Sequence, residues 1–176
     1  QPYRATILGT VFHEWVERRA GAATTTPGDL LEALEQGDDE DLLREGPIDL
    51  EKLAALQATF IASEWGDLKP IDVEREIHIV ISGVTIVCKI DAVYRRTAPD
   101  GSERIEIVDW KTGLPPKDDV DYELKQTQLA LYRVAYARWA NVDPEEIDAA
   151  FYFVGDNVIL RPDRLLSEAE LAEQWI

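Results

Sequence analysis

Methionine is absent from the 176-residue chain, and Cys88 is its single cysteine. One thiol cannot close an internal disulfide, nor can it supply the thiolate set of a zinc ribbon or an iron–sulfur centre. A reducing cytoplasm is the expected setting. No stretch approaches the roughly 18 consecutive apolar residues that a membrane span needs. The N-terminus also lacks the charged start and apolar run of a secretory signal, so neither insertion nor export is expected. The missing methionine and the opening Gln1-Pro2-Tyr3 lead us to expect a piece cut from a longer polypeptide.

Basic residues are scarce as well. Eighteen Lys and Arg against 35 Asp and Glu leave a net charge of −17, which repels a phosphate backbone unless positive charge is concentrated locally or metal ions intervene. The distribution weakens that objection. Ten acids (Asp29, Glu32, Glu35, Asp38, Asp39, Glu40, Asp41, Glu45, Asp49, Glu51) fall between residues 28 and 52, against Arg44 and Lys52, so about half of the excess sits in one segment.

What remains is ordinary for one packed domain, with 45% hydrophobic and 9% aromatic side chains. Over residues 6–20, Leu8, Val11, Phe12, Trp15 and Val16 recur at helical spacing and Gly21 supplies a stop. A mostly helical, acidic insertion (22–70) is expected next, with its clearest helix over 49–64, where Leu50, Leu53, Leu56 and Phe60 recur. The sheet core is placed at 71–161. From Asp72 the period shortens to two: VEREIHIVI, VTIVCKIDAVY and the run ending IEIVDWK read as an antiparallel meander with turns at Ser82-Gly83 and Pro99-Asp100-Gly101. A helix over 121–140 and a strand AAFYFVG follow, then a short strand at Val158–Leu160. Ser167-Glu168-Ala169-Glu170 has the form of a capping box opening a last helix. The fold class is α/β: helix, three-stranded meander, helix, strand.

The two-residue period puts Ile105, Ile107, Asp109 and Lys111 on one face of the third strand. It likewise predicts that Thr85, Val87, Lys89, Asp91 and Val93 share a face of the second, bringing two carboxylates together near the ends of neighbouring strands. Paired aspartates are a hard-oxygen site suited to Mg²⁺ or Mn²⁺, and a lysine beside them can offset charge on a reacting phosphate. The bare acid-x-lysine pattern is cheap, since Asp67-Leu68-Lys69 and Glu123-Leu124-Lys125 also satisfy it. Asp91 inside the apolar run KIDAV is either half of a structural ion pair with Lys89 or a metal ligand. His13 in the first helix is open to a structural or a ligand role. Gln128 and Tyr132 share a helix face with Leu124, Leu131 and Ala135; alone they read as a polar-edged core stripe, and beside a metal site they could reach the lysine, a water or a phosphate.

GTVFHEWVERR, KIDAVY, IEIVDWKTG and QLALYR, in this order, resemble the RecB-like branch of the PD-(D/E)XK nuclease superfamily. With the ending AAFYFVGDNVILRPDRLL they look most like the C-terminal nuclease domains of actinobacterial UvrD/Rep-type helicases of the AdnAB type. The resemblance implies one restriction-endonuclease-like domain over residues 1–176. It implies His13, Asp91, Asp109 and the Trp110 carbonyl as ligands of Mg²⁺ or Mn²⁺, Lys111 as the catalytic lysine, and Gln128 and Tyr132 as its support and as DNA contacts. Glu74 or Glu76 matches a family acidic position.

Where relatives commonly read Gly-Arg-Ile-Asp, this chain has Cys88-Lys89-Ile90-Asp91. The iron–sulfur relatives, such as CRISPR adaptation exonucleases and AddB-type nucleases, are excluded by the lone cysteine. The implied activity is metal-dependent cleavage of DNA, mainly single strands delivered by fused helicase motor domains, with a further helicase–nuclease subunit as a possible partner. The alternative is a catalytically inert nuclease-like domain that guides DNA or scaffolds a helicase complex. Lys89, Arg95, Arg96, Lys125 and Arg133 are candidate phosphate contacts.

Overall fold

The computed structural model describes residues 7–21 and 49–174, and the chain divides into two compact units, Gln1–Asp67 and Leu68–Ile176. Most of the acidic segment, residues 22–48, lies outside the described residues, so the short acidic helices expected there are not part of this account. Among the described residues no helix is long and apolar enough to cross a membrane.

The first unit holds helices α1 (Ile7–Arg19) and α2 (Leu50–Ala62), within a residue or two of the predicted spans. Val11, Phe12 and Val16 bury one stripe of α1, and Arg18 and Arg19 in its last turn suit the negative end of the helix dipole. Helix α2 starts where the Asp49 carboxylate accepts from the Glu51 and Lys52 amides, both at 3.1 Å. It buries Leu56 and Phe60. Edge-on and tilted ring contacts join Phe12, Trp15 and Phe60, with centroids 5.8–6.1 Å apart. After α2 the chain folds back so tightly that a Cβ on Gly66 would lie 2.0 Å from the Ile61 carbonyl oxygen. Arg19 donates to the Gly66 carbonyl at 3.1 Å and ties the two helices.

The second unit is a five-stranded sheet in the order β1 (Asp72–Ile81), β2 (Val84–Thr97), β3 (Glu103–Lys111), β4 (Ile147–Phe153), β5 (Val158–Leu160). The first three strands form the predicted antiparallel meander; β3 and β4 run parallel and β5 returns antiparallel. Ser82 and Gly83 both have positive φ, as a two-residue hairpin turn matched to the twist of its strands requires. The parallel β3–β4 pair needs a crossover, which is helix α3 (Asp119–Ala140). It begins two residues before the predicted start because Asp118 caps it by accepting from the Asp121 amide at 2.8 Å. It ends at Asn141 in the left-handed region.

From Leu129 onward α3 is largely buried, packing Leu129, Ala130, Val134 and Ala135 on the sheet. The expectation that Leu124 shares the core stripe fails. It is 64% exposed, because the first two turns of α3 precede the helix's buried stretch. The capping box opening helix α4 (Glu168–Glu173) is complete, with both reciprocal bonds at 3.2 Å.

The steric conflict at Gly66 yields a stability prediction. Gly66→Ala forces the backbone apart and lowers the unfolding free energy by roughly 1–3 kcal/mol. Gly113→Ala, where an added Cβ meets nothing within 4 Å, stays within about 0.5 kcal/mol of the parent. Equal urea midpoints for the two variants would contradict the tight approach.

Candidate active site

The site is built on the middle of β2 and the last residues of β3. Ala92 stands opposite Val108 in the β2–β3 register, so one further step sets Asp91 opposite Asp109. Asp91 Oδ2 accepts from the Trp110 amide at 2.9 Å, an unusual use of a side chain where a strand ladder would employ a carbonyl. Lys111 Nζ lies 3.0 Å from Asp109 Oδ2. This ion pair bears out the expectation that Ile107, Asp109 and Lys111 share one face of β3.

The face predicted for β2 is corrected. Cys88 and Ile90 belong to the core cluster and so does Val93, although the first two occupy even positions and the last an odd one. Strand β1 changes phase in the same place. Ile77, Ile79 and Ile81 face the core at one end, while at the other Asp72 accepts a 2.8 Å hydrogen bond from Tyr136 of α3. The switch falls at Glu74 and Asp91, which oppose each other between the pairs Val73–Ala92 and Arg75–Ile90. Glu74 has φ +48°, a conformation non-glycine residues seldom adopt.

Thr85, Val87 and Lys89 therefore lie exposed, and Lys89 Nζ sits 3.2 Å from Glu74 Oε2. Glu76 instead pairs with His78 at 3.2 Å. Neither glutamate joins the aspartates in a group of three side chains able to hold a metal, and among the described residues no such group of His, Cys, Asp and Glu exists.

The electrostatics of the pair are severe. Asp109 is 4% exposed, and burial drives its pKa well above the usual carboxylate value. The adjoining, hydrogen-bonded Asp91 carboxylate pushes it the same way, and Lys111 opposes both. Although the lysine nitrogen is close, Asp109 Oδ2 receives no hydrogen bond of acceptable geometry. A buried carboxylate oxygen without a donor, facing a second carboxylate, is what a cation-binding pair looks like with no cation charge to divide. Two carboxylates with waters completing the shell are within the habits of Mg²⁺. The donor set therefore fits such an ion.

Helix α3 supplies the other wall. Gln128 Nε2 donates to the Tyr132 hydroxyl oxygen at 2.7 Å. The Tyr132 pKa is raised, first by burial and then by the charge of Asp109, with Asp91 adding to it, so the two aspartates and this hydroxyl share one electrostatic neighbourhood. Protonated at neutral pH and already accepting from Gln128, Tyr132 is a neutral hydrogen-bond donor.

Strand β4 adds Phe151, opposite Asp109 in the parallel register. Lys111 Nζ lies 5.4 Å and Lys125 Nζ 5.9 Å from its ring centroid. Sequence reasoning passed over Phe151, because an aromatic in AAFYFV reads only as core. Its parallel pairing with β3 was not encoded locally.

The Trp110 side chain leaves the site for the other face of the sheet, stacked edge-on between Tyr94 and Tyr152 at 6.3 and 6.2 Å. Its amide clamps Asp91. His13 belongs to the other compact unit. There its Nδ1 lies 2.7 Å from the Gly9 carbonyl; a carbonyl only accepts, so Nδ1 carries the proton and Nε2 is the basic nitrogen of the neutral ring. That tautomer is the one used by metal-bound histidines whose second nitrogen donates to a carbonyl.

Residues 1–176 match the family described as the PD-(D/E)XK nuclease superfamily. No curated protein matches the chain.

The raised pKa of Asp109 fixes the sign of a pH effect. The folded state binds this proton more tightly than the unfolded chain does. The associated stability is thus complete below the unfolded carboxylate value, about 3.9, and is lost as pH rises through the folded one. Asp109→Asn removes the titration, so the metal-free variant melts a few degrees above the parent at pH 8, with the gain shrinking toward pH 4. Added Mn²⁺ raises the melting temperature of the parent and leaves the variant nearly unmoved. Equal Mn²⁺ shifts in thermal melts of both proteins would rule out the aspartate pair as the cation site.

Proposed function

Because the chain belongs to the PD-(D/E)XK nuclease superfamily, we propose that it is a metal-dependent deoxyribonuclease domain hydrolysing phosphodiester bonds of single-stranded DNA. The observation that carries this reading is the Asp91–Asp109 pair, with Asp109 buried and Lys111 on it, in a fold whose crossover helix adds Gln128 and Tyr132 to the same electrostatic neighbourhood.

In this reading Asp91 and Asp109 would hold a Mg²⁺ or Mn²⁺ ion, with the Trp110 carbonyl as a further protein ligand. The bound ion would polarise the phosphodiester and acidify an attacking water. The chain's own groups do the rest. The Trp110 amide fixes one oxygen of Asp91 and so the direction its other oxygen presents. Lys111 carries a positive charge beside the reacting phosphorus, where it stabilises the negative charge that grows on the non-bridging oxygens. Tyr132, oriented by Gln128, donates to an oxygen in the same space. Water oxygen bonds to phosphorus as the bond to the 3′ oxygen breaks. The water's proton is released and the leaving oxygen takes one up, giving 5′-phosphate and 3′-hydroxyl ends.

The strongly acidic composition bears on where such a domain works. A chain of net charge −17 does not capture DNA by long-range attraction. Fused to helicase motor domains of the UvrD/Rep type, in the manner of AdnAB-type machines, it receives the strand at high effective concentration instead. Double-strand break processing in the bacterial cytoplasm, alongside a second helicase–nuclease subunit, is the process we assign to it, with residues 1–176 acting as one nuclease domain.

Labelled single-stranded oligonucleotide incubated with the chain and Mg²⁺ or Mn²⁺ is expected to be cut, and EDTA to stop it. Asp109→Ala and Lys111→Ala, each checked for folding by circular dichroism, lower the rate by at least about 10²-fold, the scale of losing one preorganised charge at the reacting centre. Cleavage that survives either substitution at the parental rate, or a parent that binds DNA and never cuts it, overturns the assignment; the second outcome favours an inert DNA guide.

A further inference from the structure

Five basic residues are candidates for contact with DNA phosphates, and the structure separates one from the rest. Lys89 is held by Glu74 at 3.2 Å and Arg95 by Glu103 at 3.6 Å. Arg96 is bound to the buried Glu106 at 3.1 Å. Arg133 is buried and donates to the carbonyls of Leu165 and Leu166. Lys125 has neither an acidic nor a carbonyl partner among the described residues. Its ammonium instead faces the ring of Phe151, the same ring that Lys111 approaches from β3.

Lys125 lies three residues before Gln128 and seven before Tyr132, so α3 presents all three on one side. An ammonium half-withdrawn from water against an aromatic ring, with no anion beside it, is a cation lacking its counter-charge. Two cations meet at Phe151, and only Lys111 is neutralised by a carboxylate.

We propose that Lys125 binds the phosphate next to the scissile one on a single DNA strand. This rests on the nuclease reading above. Lys111 serves the reacting phosphate at the aspartates; Lys125, on helix α3, serves a neighbour along the strand. Lys125 thereby fixes strand register, as a binding residue separate from the chemistry.

The test is equilibrium binding of fluorescein-labelled dodecathymidylate by fluorescence anisotropy across a salt series. It uses the full chain carrying Asp109→Asn so that the strand is not consumed. Adding Lys125→Gln is expected to weaken binding several-fold at low salt and to reduce the slope of log K against log salt by about 0.7, the value of one single-strand phosphate contact. Lys125→Arg keeps the slope, and Arg95→Gln, on a residue already paired with Glu103, leaves it unchanged.

An unaltered slope in Lys125→Gln, equal loss of binding in Lys125→Gln and Lys125→Arg, or no binding by any of the proteins overturns the inference. The nuclease reading stands or falls separately, on metal-dependent cleavage by the parent chain.

Discussion

Two carboxylates held against each other inside a sheet are a cost that the fold has to sustain. Asp91 and Asp109 are opposed across β2 and β3, one fully buried, and their mutual repulsion is only partly relieved by Lys111 and by the Trp110 amide. An apolar pair at the same positions would pack without penalty. The arrangement makes physical sense as a site for positive charge, and the rest of the second unit serves to keep it in place. Strand β3 is central, paired on both edges, and its backbone cannot shift to let the acids part. The crossover through α3 packs a largely buried helix against the sheet, and of the two carboxylates Asp109 is the one withdrawn from water.

The phase change at Glu74 and Asp91 is the local device that makes the opposition possible. In a regular pleat an aspartate at position 91 would point away from the face that holds Ile90. Here both strands of the β1–β2 ribbon lose one step together, at the residue in β1 that adopts a left-handed φ. The register is unchanged on either side, so no residue has been inserted and the hydrogen-bonded ladder resumes. What is gained is a polar position on an otherwise apolar face. Backbone strain of about 1–3 kcal/mol is the typical cost of such a residue, and it falls in β1 rather than in the two strands that carry the aspartates.

This also explains what could be read in advance. The order of elements was legible because helices and strands announce themselves through period and caps: Asp118, Ser167 and the Ser82-Gly83 turn act through neighbours a few residues away. The Asp109–Lys111 pair was legible for the same reason, since β3 is regular. The β2 face was misread because a phase slip depends on a partner strand, and nothing within KIDAV signals that Glu74 stands across from it. Leu124 was misplaced because helical spacing reveals a stripe without revealing where along the helix the sheet ends. Phe151 was missed because its meaning comes from parallel pairing across a crossover of more than thirty residues.

Helix α3 shows how one element can serve the core and the site without compromise. Its later turns carry the small and aliphatic residues that touch the sheet, among them Ala130, Val134 and Ala135. Its middle carries Gln128 and Tyr132, bonded to each other before anything else binds. A tyrosine buried beside two carboxylates would be a liability if it ionised, but the same burial and the same negative neighbours hold its proton in place. The forces that make the aspartates expensive thus make the tyrosine a dependable donor. A cation entering between the carboxylates would weaken that hold by cancelling their charge, so cation binding and the acidity of Tyr132 are coupled through a single local field.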